Sequence, residues 1–486
     1  MKKVFSLIAT AILAVGFTAC SQSDSLEDTG FSTSATSFDN AVQFGTYMGK
    51  VGSTRATVGK TGGITTDVLH TGTGTGDGFG VFAYYTNTTP WADNQSTFNA
   101  NFMYNQKVTT DGTTGWTYSP LKYWPNDIST GAVDAQTDPA TGSVAGGKVS
   151  FFAYAPYVAY ASVGNPASDD GIVGMTSNTA TEAPKITYRL PTKPSESTVV
   201  DLLWGMRGSA YNQAPTGAEA GSATGYNTDL TKQTVTEKVN FLFKHALARL
   251  GGSATTGNHG GVWVALDLDE VRSGSGNAGT ASKDATTLVT IKSINIQNGE
   301  SSVPYSFKKK GTFNLATGTW SDLDENYAIS DLDSYDDVTL KLNTAVAEPE
   351  TGLANDGSGW KVSGEALSGV TTTLQQMYND KDSYYLIPAT TDQKLKITIN
   401  YVVRTYDENL NNSGNAWSEV EQTIAKIVTF TGGLDSNKIY RLNLYLGLTS
   451  IKFTATVSNW SPDGSGDEGD EVQEVDVPLN VADVTP

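Results

Sequence analysis

Apolar and polar side chains alternate with period two along much of this chain, the pattern of strands with one buried face. Ile397, Ile399, Tyr401 and Val403 alternate with Lys396, Thr398, Asn400 and Arg404. Leu442, Leu444 and Leu446 alternate with Arg441, Asn443 and Tyr445, and Ile451, Phe453, Ala455 and Val457 with Lys452, Thr454, Thr456 and Ser458. Val262, Val264, Leu266 and Leu268 repeat the pattern, and Val149–Tyr157 (VSFFAYAPY) reads as a denser strand. Gly/Thr/Ser/Asn-rich connections such as Gly72–Gly80 and Ser273–Ser282 lie between. One apolar and one polar face predicts antiparallel sheets packed as sandwiches. Long amphipathic helices are absent from the pattern, though short ones fit near Thr371–Asp380. Val239–Leu250 (VNFLFKHALARL) is ambiguous, with a strand-like start and a helix-like end. A breakpoint near residue 234 divides the chain into two segments, each large enough for its own core.

The N-terminus breaks this pattern. Lys2 and Lys3 precede Val4–Ala19, an apolar run shorter than a spanning helix of ~20 residues and laid out as a secretory signal peptide. Phe17-Thr18-Ala19-Cys20 resembles a bacterial lipobox with Phe17 in place of the usual Leu, which makes Cys20 the lipidated first residue; the alternative is an ordinary signal peptide with an incidental cysteine. Ser21–Asp28 is a polar, acidic tether. No later stretch is apolar for 18 residues, so the expected membrane contact is a lipid anchor on the outer membrane.

Composition narrows the function classes. The chain has 486 residues, 32 Lys+Arg against 51 Asp+Glu, and a net charge of −19. So acidic a chain is a poor ligand for nucleic acid, which is bound through Lys and Arg on phosphates. The single cysteine makes neither an intramolecular disulfide nor a thiolate zinc site. The three histidines, His70, His245 and His259, are scattered, and His245 lies in an apolar run as a packed core residue would.

The motifs that suggest chemistry do not complete. Gly72, Gly74, Gly76, Gly78 and Gly80 never satisfy G-x-G-x-x-G. Gly59-Lys60-Thr61 ends like a P-loop, but Thr54 stands where its first glycine belongs. Asp463, Ser465, Asp467 and Glu474 partly mimic a calcium loop, with Glu468 at the turn-glycine position. A solvated acidic linker is the plainer reading. No cofactor and no metal are expected. A glycosidase carboxylate pair is not excluded among 51 acids, but no spacing argues for one.

Two terminal features stand out. Arg55 is the first of seven arginines and the sole one before Arg189. It lies in Gly52–Thr57, a small, polar stretch of the kind preferred for nicking, though an ordinary surface arginine reads the same way. Thr36–Gly49 before it carries Val42 and Phe44 and is expected to pair as a strand. At the other end, Asp463–Pro486 holds eight acidic residues and no basic one. Within it Val475, Val477, Leu479 and Val481 alternate with Asp476, Pro478 and Asn480, and Val484 extends the apolar face. This segment, Val472–Val481, reads as a strand outside any complete domain: either a disordered acidic tail or a strand meant for another molecule.

Trp116–Pro125 (WTYSPLKYWP), Val149–Tyr157, Asp201–Trp204 (DLLW), Val239–Leu250 around His245-Ala246-Leu247-Ala248, and Ile439–Trp460, in that order, resemble the fimbrillins of the Bacteroidales. The resemblance implies an all-β fold of two transthyretin-like β-sandwich domains with a C-terminal donor-strand extension. It implies export as a lipoprotein and a cut by an arginine-specific protease, here between Arg55 and Ala56. The cut removes a first strand, and a neighbour's terminal strand fills the opened groove. The organisation expected is a signal peptide at 1–19, a lipidated propeptide at 20–55, sandwiches at 56–233 and 234–462, and a linker with donor strand at 463–486. The donor strand is Val472, Val475, Val477, Leu479 and Val481, although Pro478 cannot give a ladder hydrogen bond.

The expected function is a non-enzymatic subunit of cell-surface fimbriae. Its partners are identical or related subunits, the protease, the outer membrane before cleavage, and host or bacterial surface receptors. The extension favours a stalk over a tip, which needs no strand to donate onward. The alternatives are a tip or anchor subunit, or a monomeric surface lipoprotein binding glycans or host ligands through aromatics such as Trp91, Trp116 and Trp124, although most of these are expected in the core.

Overall fold

A computed structural model describes residues 41–47, 78–87, 89–110, 115–125, 147–159, 170–191, 199–207, 227–230, 238–250, 261–266, 287–298, 306–327, 338–341, 375–376, 384–406, 409–410, 417–446, 451–459 and 475–484. Among these described residues nearly all regular structure is β, with one short helix, Trp91–Asn94 (α1). The all-β expectation therefore holds.

The first nine strands are β1 (Phe44–Tyr47), β2 (Phe79–Asn87), β3 (Met103–Val108), β4 (Lys148–Ala155), β5 (Gly171–Met175), β6 (Lys185–Arg189), β7 (Leu203–Arg207), β8 (Asn227–Leu230) and β9 (Val239–His245). Six of them form a sheet in the order β1-β9-β7-β4-β2-β3, with β8 also on β4. Both faces of this sheet are buried, which is why Phe151–Ala155 shows no alternation of apolar and polar positions and why Ser150 is buried too. Phe151, Ala153 and Ala155 join a core on one face, Phe152 and Tyr154 a core on the other. A strand covered on both sides reads as a continuous apolar run.

The rest of the chain supplies β10 (Ala248–Leu250), β11 (Gly261–Leu266), β12 (Thr287–Gln297), β13 (Lys308–Asn314), β14 (Thr319–Asn326), β15 (Val338–Lys341) and β16 (Gln375–Gln376). It continues with β17 (Tyr384–Leu386), β18 (Gln393–Tyr406), β19 (Trp417–Phe430), β20 (Lys438–Leu446), β21 (Ile451–Asn459), β22 (Val475–Pro478) and β23 (Asn480–Val484). One sheet runs β16-β11-β20-β10-β17, with β21 on β20 and β22 on β21; another runs β15-β12-β18-β19-β23. Between them Ile397, Ile399, Tyr401, Leu442, Leu444, Phe453 and Ala455 are buried in one core, the set that the alternation placed inward.

Strand pairing does not divide at residue 233/234. Val239–His245, expected to open the second sandwich, is β9, between β1 and β7 in the first sheet. The hairpin β13–β14 also crosses that line: β13 pairs with β6 in a sheet ordered β14-β13-β6-β5. Its Phe313 and Leu315 pack with Tyr188, Trp204 and Leu242 in the core between the two N-terminal sheets. Gly318, at the hairpin turn, has φ +67° and faces the Trp204 ring so closely that a Cβ there would collide with it. Arg189 Nε donates to Glu325 Oε2 at 2.9 Å, tying β6 to β14.

The ambiguous Val239–Leu250 run is thus strand, turn, strand, and its turn is held from several sides. Ala246 N donates to Leu202 O at 2.7 Å. The Ala246 carbonyl accepts from Trp320 Nε1 and from Ser436 Oγ, each at 2.8 Å. Asn437 N donates to Leu247 O at 3.0 Å, while its Oδ1 accepts from His245 N at 3.1 Å. Buried backbone groups at the crossing are therefore paired, as burial requires. Of the Thr371–Asp380 segment, only Gln375–Gln376 is described, as the short strand β16.

Candidate functional site

The pattern of Val42 and Phe44 becomes a strand seated in the first sheet's outer groove. β1 runs parallel to β9, from Phe44 opposite Val239 to Tyr47 opposite Leu242. Val239 N donates to Gln43 O at 2.8 Å, just ahead of that ladder. On the opposite side the chain is gripped by 116–124. Val42 N donates to Lys122 O at 2.8 Å, and Tyr118 Oη donates to Val42 O at 2.7 Å. Trp116 Nε1 donates to Thr46 Oγ1 at 3.0 Å, and Ala41 bridges Tyr123.

The strand's inward side chains belong to the core itself. Val42 and Phe44 are each 1% exposed. The Phe44 ring lies 5.4 Å from Tyr118, 5.9 Å from Phe241, 6.0 Å from Phe151 and 6.2 Å from Phe79. Burial pushes the Tyr118 phenol up to about 12, which keeps it protonated as the donor to Val42. Gly45 points the other way, and a Cβ built there would meet Asn240 Oδ1. The groove thus takes a large apolar residue, then a residue with almost no side chain, then a hydrogen-bond acceptor for the Trp116 indole.

The C-terminal strand is placed differently from its expectation. It pairs within its own chain: β22 is antiparallel to β21, with Val475 opposite Val457 and Pro478 opposite Thr454. β23 is antiparallel to β19, with Asn480 opposite Thr429 and Val484 opposite Ala425. Leu479 lies between the two strands, partly buried against the second core. Alternation marks a strand but does not say whose sheet edge it takes. Val472, Cys20, Arg55 and Ala56 lie outside the described residues.

Of the other sequence candidates, those among the described residues resolve as packing, while His70, His259, Gly59–Thr61 and the acidic stretch 463–474 lie outside the described residues. Trp91, Trp116 and Trp124 are all buried. In the Trp-rich segment it is Tyr123, 53% exposed, that faces solvent. His245 Nδ1 lies 2.6 Å from Asp201 Oδ2, and both side chains are buried. Asp201→Ala removes that partner from a buried imidazole and is expected to cost about 1–3 kcal/mol. A urea midpoint read by tryptophan fluorescence measures it, with Asp201→Asn retaining part of the loss. Among the described residues no three His, Cys, Asp or Glu side chains come together as metal ligands would. No helix among them is long and apolar enough to cross a membrane.

Sequence reasoning missed Gly45 and the parallel pairing of β1 with β9. The one available signal was the Val42-x-Phe44-Gly45 order, an apolar alternation ended by the residue that tolerates closest approach.

The fold defines the class as an all-β protein built from several packed sheets. No family model matches the chain. Over 396 residues, 80% of this chain and 83% of the relative, it is 23% identical to the fimbrium subunit Fim1C of Phocaeicola vulgatus. Among solved structures, a fimbrial protein from Bacteroides vulgatus aligns over 87% of this chain and 100% of its own, with 19% identity and a TM-score of 0.49. The tip fimbrial protein Mfa3 of Porphyromonas gingivalis, C-terminally truncated, aligns over 78% of this chain and 94% of its own, with 10% identity and a TM-score of 0.22. The chain is thus similar in sequence to a fimbrium subunit, in line with the resemblance its motifs carry.

Proposed function

We propose that this chain is a non-enzymatic stalk subunit of a cell-surface fimbrium, joined to copies of itself by strand exchange. It is exported as an outer-membrane lipoprotein on Cys20 and cut between Arg55 and Ala56 by an arginine-specific protease. The leader strand β1 leaves with the propeptide, and the C-terminal strand of a neighbour fills its groove. The assembled fimbrium supports adhesion to host or bacterial surfaces. The carrying observation is that the segment 41–47, upstream of Arg55, supplies Val42 and Phe44 to a core whose other described residues all lie downstream. Burial of the three candidate tryptophans speaks against a glycan platform built on them.

Cleavage supplies the direction of the exchange. While 41–47 and the rest of the domain are one chain, the leader competes as a tethered segment, with an effective concentration on the order of millimolar. Once cut, it dissociates into bulk solution and that advantage is gone. The competing strand 475–484 is longer: ten residues span ~33 Å against ~23 Å for 41–47, at ~3.3 Å per residue. That strand must first give up its pairs with β21 and β19. Assembly is therefore a trade between two edge pairings, slow but driven by loss of the leader.

Incubating the purified precursor with an arginine-specific protease tests this reading. The expected product begins at Ala56 and forms fibres visible by electron microscopy. A chain cut at Arg55 that stays monomeric at high concentration contradicts it.

A further inference from the structure

The groove carries enough detail to set the register of the strand that replaces the leader. On the strand-exchange reading above, we infer that Leu479, Val481 and Ala482 of a second copy take the places of Val42, Phe44 and Gly45, parallel to Val239–Leu242. Pro478 then stands at Ala41, Asp483 at Thr46 and Val484 at Tyr47.

Three independent features of the groove select this register. The groove takes two apolar side chains two residues apart, at the positions of Val42 and Phe44. The alternation Val475, Val477, Leu479, Val481 offers three ways to supply them, with Val477, Leu479 or Val481 on Phe44. The next residue falls on Gly45, where a Cβ already meets Asn240 Oδ1. The three registers place Pro478, Asn480 or Ala482 there, and only alanine is small enough to be met by a slight turn of the Asn240 side chain.

The proline gives the second constraint. Gln43 O accepts from Val239 N, and Gly45 lies opposite Asn240 in the ladder with β9. Proline at Gly45 forfeits a ladder donor, whereas at Gln43, which accepts through its carbonyl, it does not. In the inferred register it falls on Ala41, ahead of the first laddered pair at Phe44 and Val239. A proline is tolerated at the start of a strand.

The third constraint is Trp116, whose indole N–H donates to Thr46 Oγ1. Registers with Val477 or Leu479 on Phe44 bring Leu479 or Val481 to that position, neither of which accepts a hydrogen bond. The inferred register brings the Asp483 carboxylate, an acceptor. Asn240 thereby becomes the residue of the acceptor that determines which strand register is admitted.

Disulfide trapping reads the register directly. The sole cysteine of the chain is Cys20, which leaves with the propeptide, so the cleaved chain is free of thiols. Neighbouring strands lie ~4.8 Å apart, within the ~4.4–6.8 Å between Cα atoms that a disulfide spans. Three doubly substituted precursors are cleaved and polymerised in reductant, then oxidised: Asn240→Cys with Ala482→Cys, with Asn480→Cys, and with Pro478→Cys. The first is expected to give a ladder of covalent multimers on non-reducing electrophoresis, and the other two to stay monomeric there.

A ladder from the 480 or 478 pair, or polymers with no ladder from the 482 pair, overturns the register and leaves strand exchange standing. No polymer from the cleaved wild-type chain overturns strand exchange and the register with it. If the cysteine chains do not polymerise, a second pair decides. Ala482→Leu is expected to slow polymerisation at least tenfold, with Asn240→Gly restoring it. Equal rates for Ala482→Leu and wild type contradict the register.

Discussion

Phe44→Ala is expected to destabilise the uncleaved chain by about 3–5 kcal/mol, the range for truncating a buried phenylalanine. The ring touches four aromatic side chains drawn from β2, β4, β9 and the 116–124 segment, so the cavity opens among elements that cannot all close in on it. Urea unfolding of the uncleaved chain, followed by the fluorescence of the nearby tryptophans, measures the loss. The same substitution is expected to have no effect on fibres formed after cleavage, because the substituted residue has left with the leader. That contrast separates a leader held only in the precursor from a strand belonging permanently to the sheet. It is also expected to let the cut chain polymerise faster, since a weakened leader departs sooner.

Deleting residues 475–486 is expected to abolish polymerisation of the cleaved chain altogether. The truncated chain keeps its groove and its leader, so it still folds, is still cut, and still accepts a strand. It has none to give. Added to cleaved full-length chain, it is expected to shorten fibres in proportion to its share, because each growing end that incorporates it stops donating. A modest loss of stability accompanies the truncation: Leu479 leaves the second core, and the edges of β21 and β19 that paired with β22 and β23 are left open. Burial of an aliphatic side chain is worth ~1.5–3 kcal/mol when complete, so a partly buried Leu479 contributes less. Fibres of undiminished length from the truncated chain alone contradict the donor assignment.

What could be read from the amino acids followed from how each strand is buried. Ile397–Tyr401 and Phe453–Ala455 each bury one face, so period two was visible and assigned the core side correctly, and Leu442 and Leu444 face the same core although Asn443 between them is buried as well. Val149–Ala155 buries both faces and was recognisable only as a dense apolar run. Partners were the illegible part. Nothing in Val239–His245 says that it joins the first sheet rather than opening the second unit, because alternation specifies a face and not a neighbour. The hairpin 308–326 is polar on its outer strand, with Asp322, Asp324 and Glu325, and gave no sign that Phe313 enters the other half's core.

The same limit explains the two terminal strands at the candidate site. Val42 and Phe44 were legible as strand residues, but their depth and their parallel pairing with β9 depend on residues nearly two hundred positions away. The alternation from Val475 to Val481 was legible too. That it closes its own second pair of sheets, through β21 on one side and β19 on the other, was not. Most of Trp91, Trp116 and Trp124 were expected in the core, with an exposed platform as the alternative, and three-dimensional packing places all three inside.

In the proposed assembly one exchange joins the subunits, the leader strand leaving and a neighbour's strand taking its groove. Mass spectrometry of the polymer and of the freshly cut monomer, each under native conditions, tests it most directly. The predicted result is one leader peptide ending at Arg55 held per subunit in the cut monomer and none in the fibre. A fibre that retains one leader per subunit contradicts the account, since its grooves would still be full and its subunits joined by some other surface.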